Sequence, residues 1–447
     1  MLSTGNDSPN SITLGFNVLY NQENSMAIVP LSINCSIILL TLLLAVLLGA
    51  CGEAESPFEC TDAIGCVAVD PGEPIKIGVL QALSGKVAPL GQAQLRGLEL
   101  ALDRRENALI GHPLALRIED TGCTKEGGAN AALKLIADPQ TVAIFGTTCS
   151  GAAATASQAM SAAGLTMISG NNSAPFLTSI AGRAAPNWQA GYFRTAPNEE
   201  NAGKAAAGYV FQKLGLKKAA TIHDNDIYTR GLTESFSKAF RELGGEIVLD
   251  TAVNRGETEM KPVLTAVINS GAQLLFFPLF QPEGNHILLQ ARALPALDGT
   301  LLISDGALIE KSFLDDVGEL GRGMCFVGPS SPAGDAVDRL AAAYETKYKE
   351  KPTVDYYLNG FDAADLLFHA IEQTAIPARD GTLYLGRQAL RDVLYATKDF
   401  RGVTGTVACD RFGDCARPAF NVLCLDDPSL GLEGLQANIV FSSTLEN

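Results

Sequence analysis

Apolar positions from Ile75 onward fall into short runs that alternate with longer segments of helical periodicity. Short apolar runs bounded by turn residues are typical of buried strands, whereas apolar residues at helical spacing indicate amphipathic helices. The first series predicts strands at Ile75–Gln81, Leu114–Asp120, Val142–Phe145 and Leu165–Ser169, and helices at Ala93–Glu106, Gly128–Ala137 and Ala152–Ala163. Such alternation indicates βαβ units and a parallel sheet with helices on both faces.

A second alternating series follows Phe193–Pro197 and has the period of a βα unit, about thirty residues. It predicts helices at Ala202–Leu214, Gly231–Leu243, Met260–Ser270 and Gly284–Leu294, and strands at Lys218–His223, Glu246–Asp250, Gln273–Phe277 and Leu301–Ser304. Later helices are predicted at Asp335–Tyr348, Tyr356–Thr374 and Gly386–Ala396, and Gly405–Leu425 alternates like a hairpin around Asp410–Asp414. The fold class is therefore α/β, with two doubly wound parallel-sheet lobes.

These elements divide the 447-residue chain into two lobes, as its length also suggests. The first lobe is expected at residues 75–197 and 331–401, the second at residues 198–330 and 402–430, and a C-terminal tail at residues 431–447. The chain would cross between the lobes near Pro197–Asn198, Pro329–Ser331 and Arg401–Gly402. These three crossings would form a hinge.

The composition excludes several classes of protein. Apolar residues make up 47% of the chain, enough to bury large cores and too many for a disordered protein. The formal net charge is −16, and no run of Lys or Arg could follow a nucleic-acid backbone. We therefore expect neither DNA nor RNA as a partner.

The N-terminal part of the chain carries an export signal. Ser36–Leu48 is an apolar stretch with the length of a signal-peptide core, although no Lys or Arg precedes it. The tetrapeptide Leu48–Cys51 looks like a bacterial lipobox, which implies cleavage before Cys51 and lipidation of its thiol. Residues 1–50 are then a lipoprotein signal segment, starting at Met1 or Met26, and residues 51–74 a linker. In the alternative interpretation Ala27–Ala50 remains as a membrane anchor. Both place the remainder outside the cytoplasm.

A ligand cradle is predicted where the central strand of the first series ends. The turn Gly146–Gly151 leads into a helix, and unpaired N–H groups at a helix N-terminus attract a carboxylate or phosphate. The loop Gly170–Ser173 follows the next strand and should open on the same sheet edge, where ligands bind in open α/β sheets. Ser150 could instead cap its helix, and Asn171 and Asn172 could bond only within their own loop.

Several segments together resemble the type I periplasmic binding proteins, most closely the branch that binds leucine, isoleucine and valine for ABC transporters. The resemblance covers residues 74–425, and its segments are Ile75–Gly85, Glu119–Cys123, Gly146–Ser150, Met167–Thr178, Phe193–Thr195, His223–Asp224 with Tyr228, and Gly360–Ala363. It implies the type I periplasmic binding fold, whose lobes close on a free amino acid. It implies no cofactor.

The resemblance also implies roles for individual residues. Ser150, with Gly151 beside it, would bind the ligand carboxylate, and Ser173 would add a hydroxyl where the family usually has Thr. Tyr228 would close over the ligand from the facing lobe. Asp305, at the end of a strand, would pair with the α-ammonium, although an Asp before Gly could also be a turn residue.

Three residues depart from the family pattern and bear on the ligand side chain. Leu90 replaces an aromatic residue, Asn171 stands where a small residue is common, and Phe280 takes the place of a Tyr. The pocket is therefore expected to be more apolar on two walls and more polar on a third.

Of the ten cysteines, Cys35 lies in the expected signal segment and Cys51 would carry the lipid, which leaves eight for an oxidising compartment. The resemblance implies a disulfide between Cys123 and Cys149. Equal spacing suggests local bridges Cys60–Cys66 and Cys409–Cys415, and Cys325 would meet Cys424 if their strands are neighbours. A metal site is the alternative, but paired C-x-x-C spacing is missing.

Catalysis is not favoured by the sequence. Thr148 stands where a nucleophile elbow at Ser150 would need Gly, and neither a Walker A motif nor a metal-ligand cluster occurs. We therefore expect no enzyme and no metal, but a lipid-anchored solute-binding protein that delivers an amino acid, branched-chain or otherwise hydrophobic, to an ABC permease. The alternative is a ligand sensor for an amide or another small organic solute, not coupled to transport.

Overall fold

The computed structural model describes residues 58–444. The expected signal segment, the lipidation site Cys51 and the alternative anchor at Ala27–Ala50 lie outside the described residues. Among the helices of residues 58–444, none combines the length and the apolar character that a membrane span requires.

The described chain alternates strands and helices as the sequence predicts. The strands are β1 Cys66–Val69, β2 Ile75–Gln81, β3 Ala108–Leu109, β4 His112–Asp120, β5 Thr141–Gly146, β6 Thr166–Ser169, β7 Ser179–Ile180, β8 Arg183–Ala184, β9 Tyr192–Arg194, β10 Lys218–His223, β11 Glu246–Ala252, β12 Leu274–Phe276, β13 Leu301–Asp305, β14 Cys325–Pro329, β15 Ala375–Pro377, β16 Leu383–Gly386, β17 Phe400–Gly402, β18 Gly405–Val407, β19 Ala419–Cys424 and β20 Ile439–Thr444. The helices are α1 Ala88–Arg104, α2 Lys125–Ile136, α3 Ser150–Ala162, α4 Glu200–Gly208, α5 Ile227–Glu242, α6 Lys261–Ser270, α7 Glu283–Arg292, α8 Lys311–Val317, α9 Asp335–Tyr348, α10 Tyr356–Thr374, α11 Arg387–Ala396 and α12 Gly431–Ala437.

Two large sheets organise the molecule. The first has the strand order β3-β4-β2-β5-β6-β9 and is parallel except for its edge strand β3. The second has the order β11-β10-β12-β13-β14-β19-β20 and is parallel up to β14, after which β19 and β20 run antiparallel. The fold is thus the expected two-lobed α/β fold, with an antiparallel edge added to each sheet.

Most predicted elements have the right type, and their ends differ by a few residues. The largest difference at a helix start is in α1, which begins at Ala88 rather than Ala93, with a Pro in its first turn where the missing N–H costs nothing. The predicted helix Ala202–Leu214 is instead α4 followed by a π-helical turn at Tyr209–Lys213.

The predicted hairpin at Gly405–Leu425 is wrong. Strand β18 pairs with β17, and the turn between them is fixed to α10 because the Asp362 carboxylate accepts from the backbone N–H groups of Val403 and Thr404. Asp410–Asp414 is a loop closed by the Cys409–Cys415 disulfide, and β19 belongs to the second sheet.

The third crossing consequently lies later than expected. The Cys415 N–H still bonds the Arg194 carbonyl in the first lobe, and Ala419 already begins β19. The chain therefore crosses at residues 416–418 rather than at Arg401–Gly402, and residues 402–415 pack with the first lobe. The other two crossings fall between Arg194 and Glu200 and between Pro329 and Asp335.

Both ends of the described chain are more ordered than expected. The expected tail, residues 431–447, contains helix α12 and strand β20, which pairs with β19 at the edge of the second sheet. Within the expected linker, β1 pairs antiparallel with β16, and Asp62 accepts from two backbone N–H groups at the start of α11. Residues 62–69 are thus part of the first lobe.

Close helix packing positions one wall of the interlobe cleft. Helices α1 and α10 cross at Gly97, where an added Cβ would come within 2.3 Å of the Tyr357 carbonyl oxygen. Only a residue without a side chain allows this approach. Tyr356, the first residue of α10, and Leu90, in the first turn of α1, both line the cavity described below.

Candidate functional site

A cavity lies between the two lobes, at the carboxyl ends of the parallel strands. The space between its walls, including the part open to solvent, amounts to about 260 Å³. The residues that line it sit at helix N-termini or in loops that follow strands: Leu90, Thr148, Ser150, Asn171, Ser173, Tyr228, Phe280, Ala307 and Tyr356. This is the position in which open α/β sheets bind ligands.

The structure brings together six of the eight ligand-binding residues expected from sequence. Leu90, Ser150, Asn171, Ser173, Tyr228 and Phe280 line the cavity. Gly151 does not, and instead faces the second lobe, where an added Cβ would lie 2.0 Å from the Asp226 Oδ2 atom. Asp305 is fully buried behind Tyr228, whose hydroxyl donates a hydrogen bond to it.

The N-terminus of helix α3 forms one end of the cavity. The helix begins at Ser150, two residues earlier than predicted, and Cys149 precedes it in extended conformation. The Ser150 hydroxyl accepts from the Ala174 N–H at 3.3 Å and does not cap its own helix. The first-turn N–H groups of α3 therefore supply donors and positive potential for an anion.

The turn before α3 is held by a disulfide and a buried hydrogen-bond network. Cys123 and Cys149 are joined with a Cα–Cα distance of 5.3 Å. The Thr147 N–H donates to Asn172 Oδ1 at 3.1 Å, and the Asn171 amide donates to the Thr148 carbonyl at 3.1 Å. Asn172 thus supports the loop, whereas Asn171 supports the loop and also lines the cavity.

The other three bridges join Cys60–Cys66, Cys325–Cys424 and Cys409–Cys415. Cys325 and Cys424 are directly paired across the neighbouring strands β14 and β19. This is the neighbour relation on which the sequence-based pairing depended. Residues 58–444 contain no cluster of His, Cys, Asp or Glu that could hold a metal ion.

Two buried carboxyl groups, Glu199 and Asp305, lie behind the lining residues Ser173 and Tyr228 and form an acidic end. Glu199 is 1% exposed and accepts from the Ser173 hydroxyl at 2.8 Å. Burial, reinforced by the charge of Asp305, raises the pKa of Glu199 to about 8. Burial likewise raises the pKa of Asp305 to about 7, against the opposing effect of the Tyr228 hydroxyl. Loss of hydration disfavours the ionised form of both acids.

Sequence reasoning missed Glu199, Thr148, Ala307 and Tyr356. Glu199 stands beside Glu200 at the first crossing, and nothing in the sequence distinguishes which of these acids turns inward. Thr148 lies within the quoted Gly146–Ser150 segment, so its position was a usable signal. Tyr356 and Tyr357 are adjacent aromatic residues, and the sequence alone does not assign one of them to the cavity.

The segment around His223 and Asp224 has a structural role. His223 Nδ1 accepts from the Asn225 N–H at 3.1 Å, and Asp224 accepts from the Asp226 N–H at 3.0 Å. Asp226 in turn caps helix α5 by accepting from the Tyr228 N–H at 2.9 Å. These contacts orient Tyr228, whose ring stacks on Phe280 with ring centroids 5.0 Å apart.

Two α/β lobes, three crossings and a cavity between the sheets define a bilobed binding protein of the type I periplasmic fold. The family model described as "Periplasmic binding protein" matches residues 74–416. The chain therefore belongs to this family, whose members bind substrates.

Individual relatives agree with this assignment. A Leu/Ile/Val-binding protein homolog from Brucella melitensis is 25% identical over 367 residues, which cover 80% of this chain and 94% of the relative. The isoleucine complex of a branched-chain amino acid transporter substrate-binding protein from Streptococcus pneumoniae has a TM-score of 0.68 at 22% identity, covering 84% and 100% of the two chains. An R. palustris solute-binding protein in complex with benzoate has a TM-score of 0.67 at 22% identity, covering 83% and 99%.

Proposed function

We propose that this protein captures an amino acid with a branched-chain or other hydrophobic side chain in the interlobe cavity. The observation that carries the proposal is that one cavity combines donors, at Ser150 and the α3 N-terminus, with an acidic end, where Glu199 and Asp305 are bonded to the lining residues Ser173 and Tyr228. A zwitterion requires both, because burying either of its charges unpaired would cost several kcal/mol. Charge-assisted hydrogen bonds contribute roughly 1.5–3 kcal/mol each, so two or three support micromolar binding.

Eight of the nine lining residues have a role in this proposal. Ser150 and the N–H groups of α3 bind the carboxylate, and Ser173 joins this end to Glu199. Tyr228 and Asp305 bind the ammonium from the second lobe, and Glu199 is a second acid at this end. The side chain of the ligand would contact Leu90, Phe280, Ala307, Asn171 and Tyr356.

The cycle we propose is hinge closure followed by delivery. Ligand binds to the first lobe, the second lobe rotates inward, and an ABC permease recognises the closed protein. Delivery to a permease takes place outside the cytoplasm, with the chain tethered by lipid at Cys51. Membership in the periplasmic binding family and the similarity to Leu/Ile/Val-binding proteins support this cycle.

The alternative ligand is a small organic acid or amide without an ammonium group. The similarity to a benzoate-binding protein makes this alternative specific. A benzoate-like ligand would leave the buried carboxyl groups of Glu199 and Asp305 without a cation, so the acidic end favours the amino acid. A ligand sensor uncoupled from transport would use the same cavity.

A thermal-shift screen tests the proposal. The twenty amino acids are compared with benzoate, 4-hydroxybenzoate and small amides. A ligand present at 100 times its dissociation constant should raise the free energy of unfolding by about 2.7 kcal/mol, and we expect this for leucine, isoleucine or valine. Stabilisation by benzoate, with none by any amino acid, would contradict the proposal and support the alternative.

A further inference from the structure

Glu199 and Asp305 form a buried pair of acids beside the cavity. Asp305 ends strand β13 and is held by the Ser304 hydroxyl at 3.3 Å and by the Ala307 N–H at 3.5 Å. Glu199 precedes helix α4 and is held by the Ser173 hydroxyl. Glu199 is 1% exposed, and Asp305 is fully buried. Two ionised carboxylates in such a site would repel each other strongly.

Tyr228 is bonded to one acid of the pair. Its hydroxyl donates to Asp305, and Tyr228 lines the same cavity as Ser173, whose hydroxyl binds Glu199. A phenol has one proton to donate, so Tyr228 stabilises the Asp305 carboxylate and leaves Glu199 without this proton. Tyr228 and Asp305 belong to the second lobe, whereas Glu199 is bonded to Ser173 of the first lobe through its backbone N–H and its carboxylate. The pair of acids therefore forms where the two lobes meet.

The base that acts on Glu199 is engaged with other partners. Arg194 is fully buried and already bonded to Asp414, to the Ala174 carbonyl and to the Thr178 hydroxyl. The remaining titratable neighbour, Tyr356, is held in its neutral form because burial and the two acids raise the pKa of its phenol.

We propose that the unliganded pocket keeps one proton on the Glu199–Asp305 pair and that the ligand ammonium displaces it, so that capture of the amino acid releases a proton. The inference rests on the proposed function. The ligand enters with its ammonium intact and donates N–H hydrogen bonds to the carboxylates. The displaced proton leaves the Glu199 carboxyl group for the solvent, so neither the ligand nor the protein undergoes a covalent change. The ammonium supplies the positive charge that the pair lacks.

Calorimetry in buffers of different ionisation enthalpy measures this release. With L-leucine, L-isoleucine and L-valine at pH 7.5, phosphate and Tris should report about one proton released per ligand bound. Affinity should increase about tenfold or more from pH 6 to pH 8, because protons compete with the ammonium at the lower pH. Glu199→Gln should abolish most of the release and flatten the pH dependence.

Two further variants serve as controls. Glu283→Gln neutralises another buried glutamate, which accepts from the Gly256 N–H and does not line the cavity, and it should leave the release unchanged. Glu199→Asp keeps an acid at the site and should retain the proton release. This variant replaces Glu199→Gln in the test if the glutamine variant does not fold. Binding of these amino acids without proton release and with constant affinity from pH 6 to pH 8 would overturn the inference and leave the proposed function standing. Absence of binding at every pH would contradict the proposed function, and the inference with it.

Discussion

The carboxyl group of Glu199 is stable at neutral pH in its protonated form, because the fold removes water from it and places Asp305 nearby. The Ser173 hydroxyl partly offsets this effect through its hydrogen bond. Glu199 therefore reduces the stability of the unliganded protein at any pH where it would ionise in the unfolded chain. A fold that keeps such a group can recover the loss when a cation binds beside it.

The unliganded protein should accordingly lose stability as the pH rises. The pKa of Glu199 rises from 4.5 to about 8 on folding, so between these values the native state binds more protons than the unfolded state. Glu199 alone should lower the free energy of unfolding by at most about 1.4 kcal/mol per pH unit over this window, and its effect should level off above it. Urea unfolding at pH 5, 6.5 and 8 measures the effect.

Glu199→Gln is the variant that isolates this contribution, with Glu283→Gln as the matched control. The glutamine variant should show a shallower decline than the wild type, with the remaining slope coming in part from Asp305, whose pKa of about 7 acts in the same direction. Parallel curves for wild type and Glu199→Gln would mean that Glu199 is ionised in the native protein.

At the scale of elements, helices α3 and α5 approach each other across the cleft at a glycine, Gly151. Gly151 lies in the first turn of α3, and Asp226 caps α5 while facing it. Because Asp226 Oδ1 is bound to the Tyr228 N–H, the carboxylate cannot turn away without giving up the cap. Gly151 and Asp226 are this close only when the two lobes are in contact.

Gly151→Ala should therefore weaken ligand binding without weakening the fold. The new Cβ would clash with Asp226 across the cleft, whereas Ala in place of Gly stabilises a helix by up to about 1 kcal/mol. We expect unliganded thermal stability to stay equal or increase while affinity for leucine falls at least tenfold. Calorimetry and thermal unfolding of the same sample separate the two effects.

The double variant Gly151→Ala with Asp226→Ala supplies the control. Removing the Asp226 carboxylate removes the clash, so adding Gly151→Ala to an Asp226→Ala background should cost little affinity. If Gly151→Ala lowers the affinity equally in the wild-type and the Asp226→Ala backgrounds, its effect arises within α3 and not from a clash between the lobes.

At the scale of the whole molecule, the sequence predicted what local pattern and motif determine. The turn that carries Ser150 was located because strand, turn and small-residue helix follow one another within Thr141–Ala162. Asp305 was located at a strand end, and its burial behind Tyr228 was not, because burial depends on the facing helix α5.

Elements that depend on distant pairing were harder to predict. The alternation of Gly405–Leu425 fits any half-buried strand and does not reveal that β19 pairs with β14, nearly a hundred residues earlier in the chain. The strand within the expected tail was missed for the same reason. Strand β20 pairs with β19, so it can be identified as a strand only once the position of β19 is known. Glu199 was missed because its role requires the first crossing to bring it next to β13.

The central claim is that the cavity recognises a carboxylate at one end and an ammonium at the other. Titration calorimetry of L-leucine against 4-methylpentanoate, the same molecule without the ammonium, tests it most directly when repeated with Asp305→Asn. We expect leucine to bind much more tightly than 4-methylpentanoate and to lose about 2 kcal/mol, roughly thirtyfold, in the variant. Ser150→Ala should lose less, because the N–H groups of α3 remain. Equal binding of the two ligands, or unchanged leucine affinity in Asp305→Asn, would contradict the account.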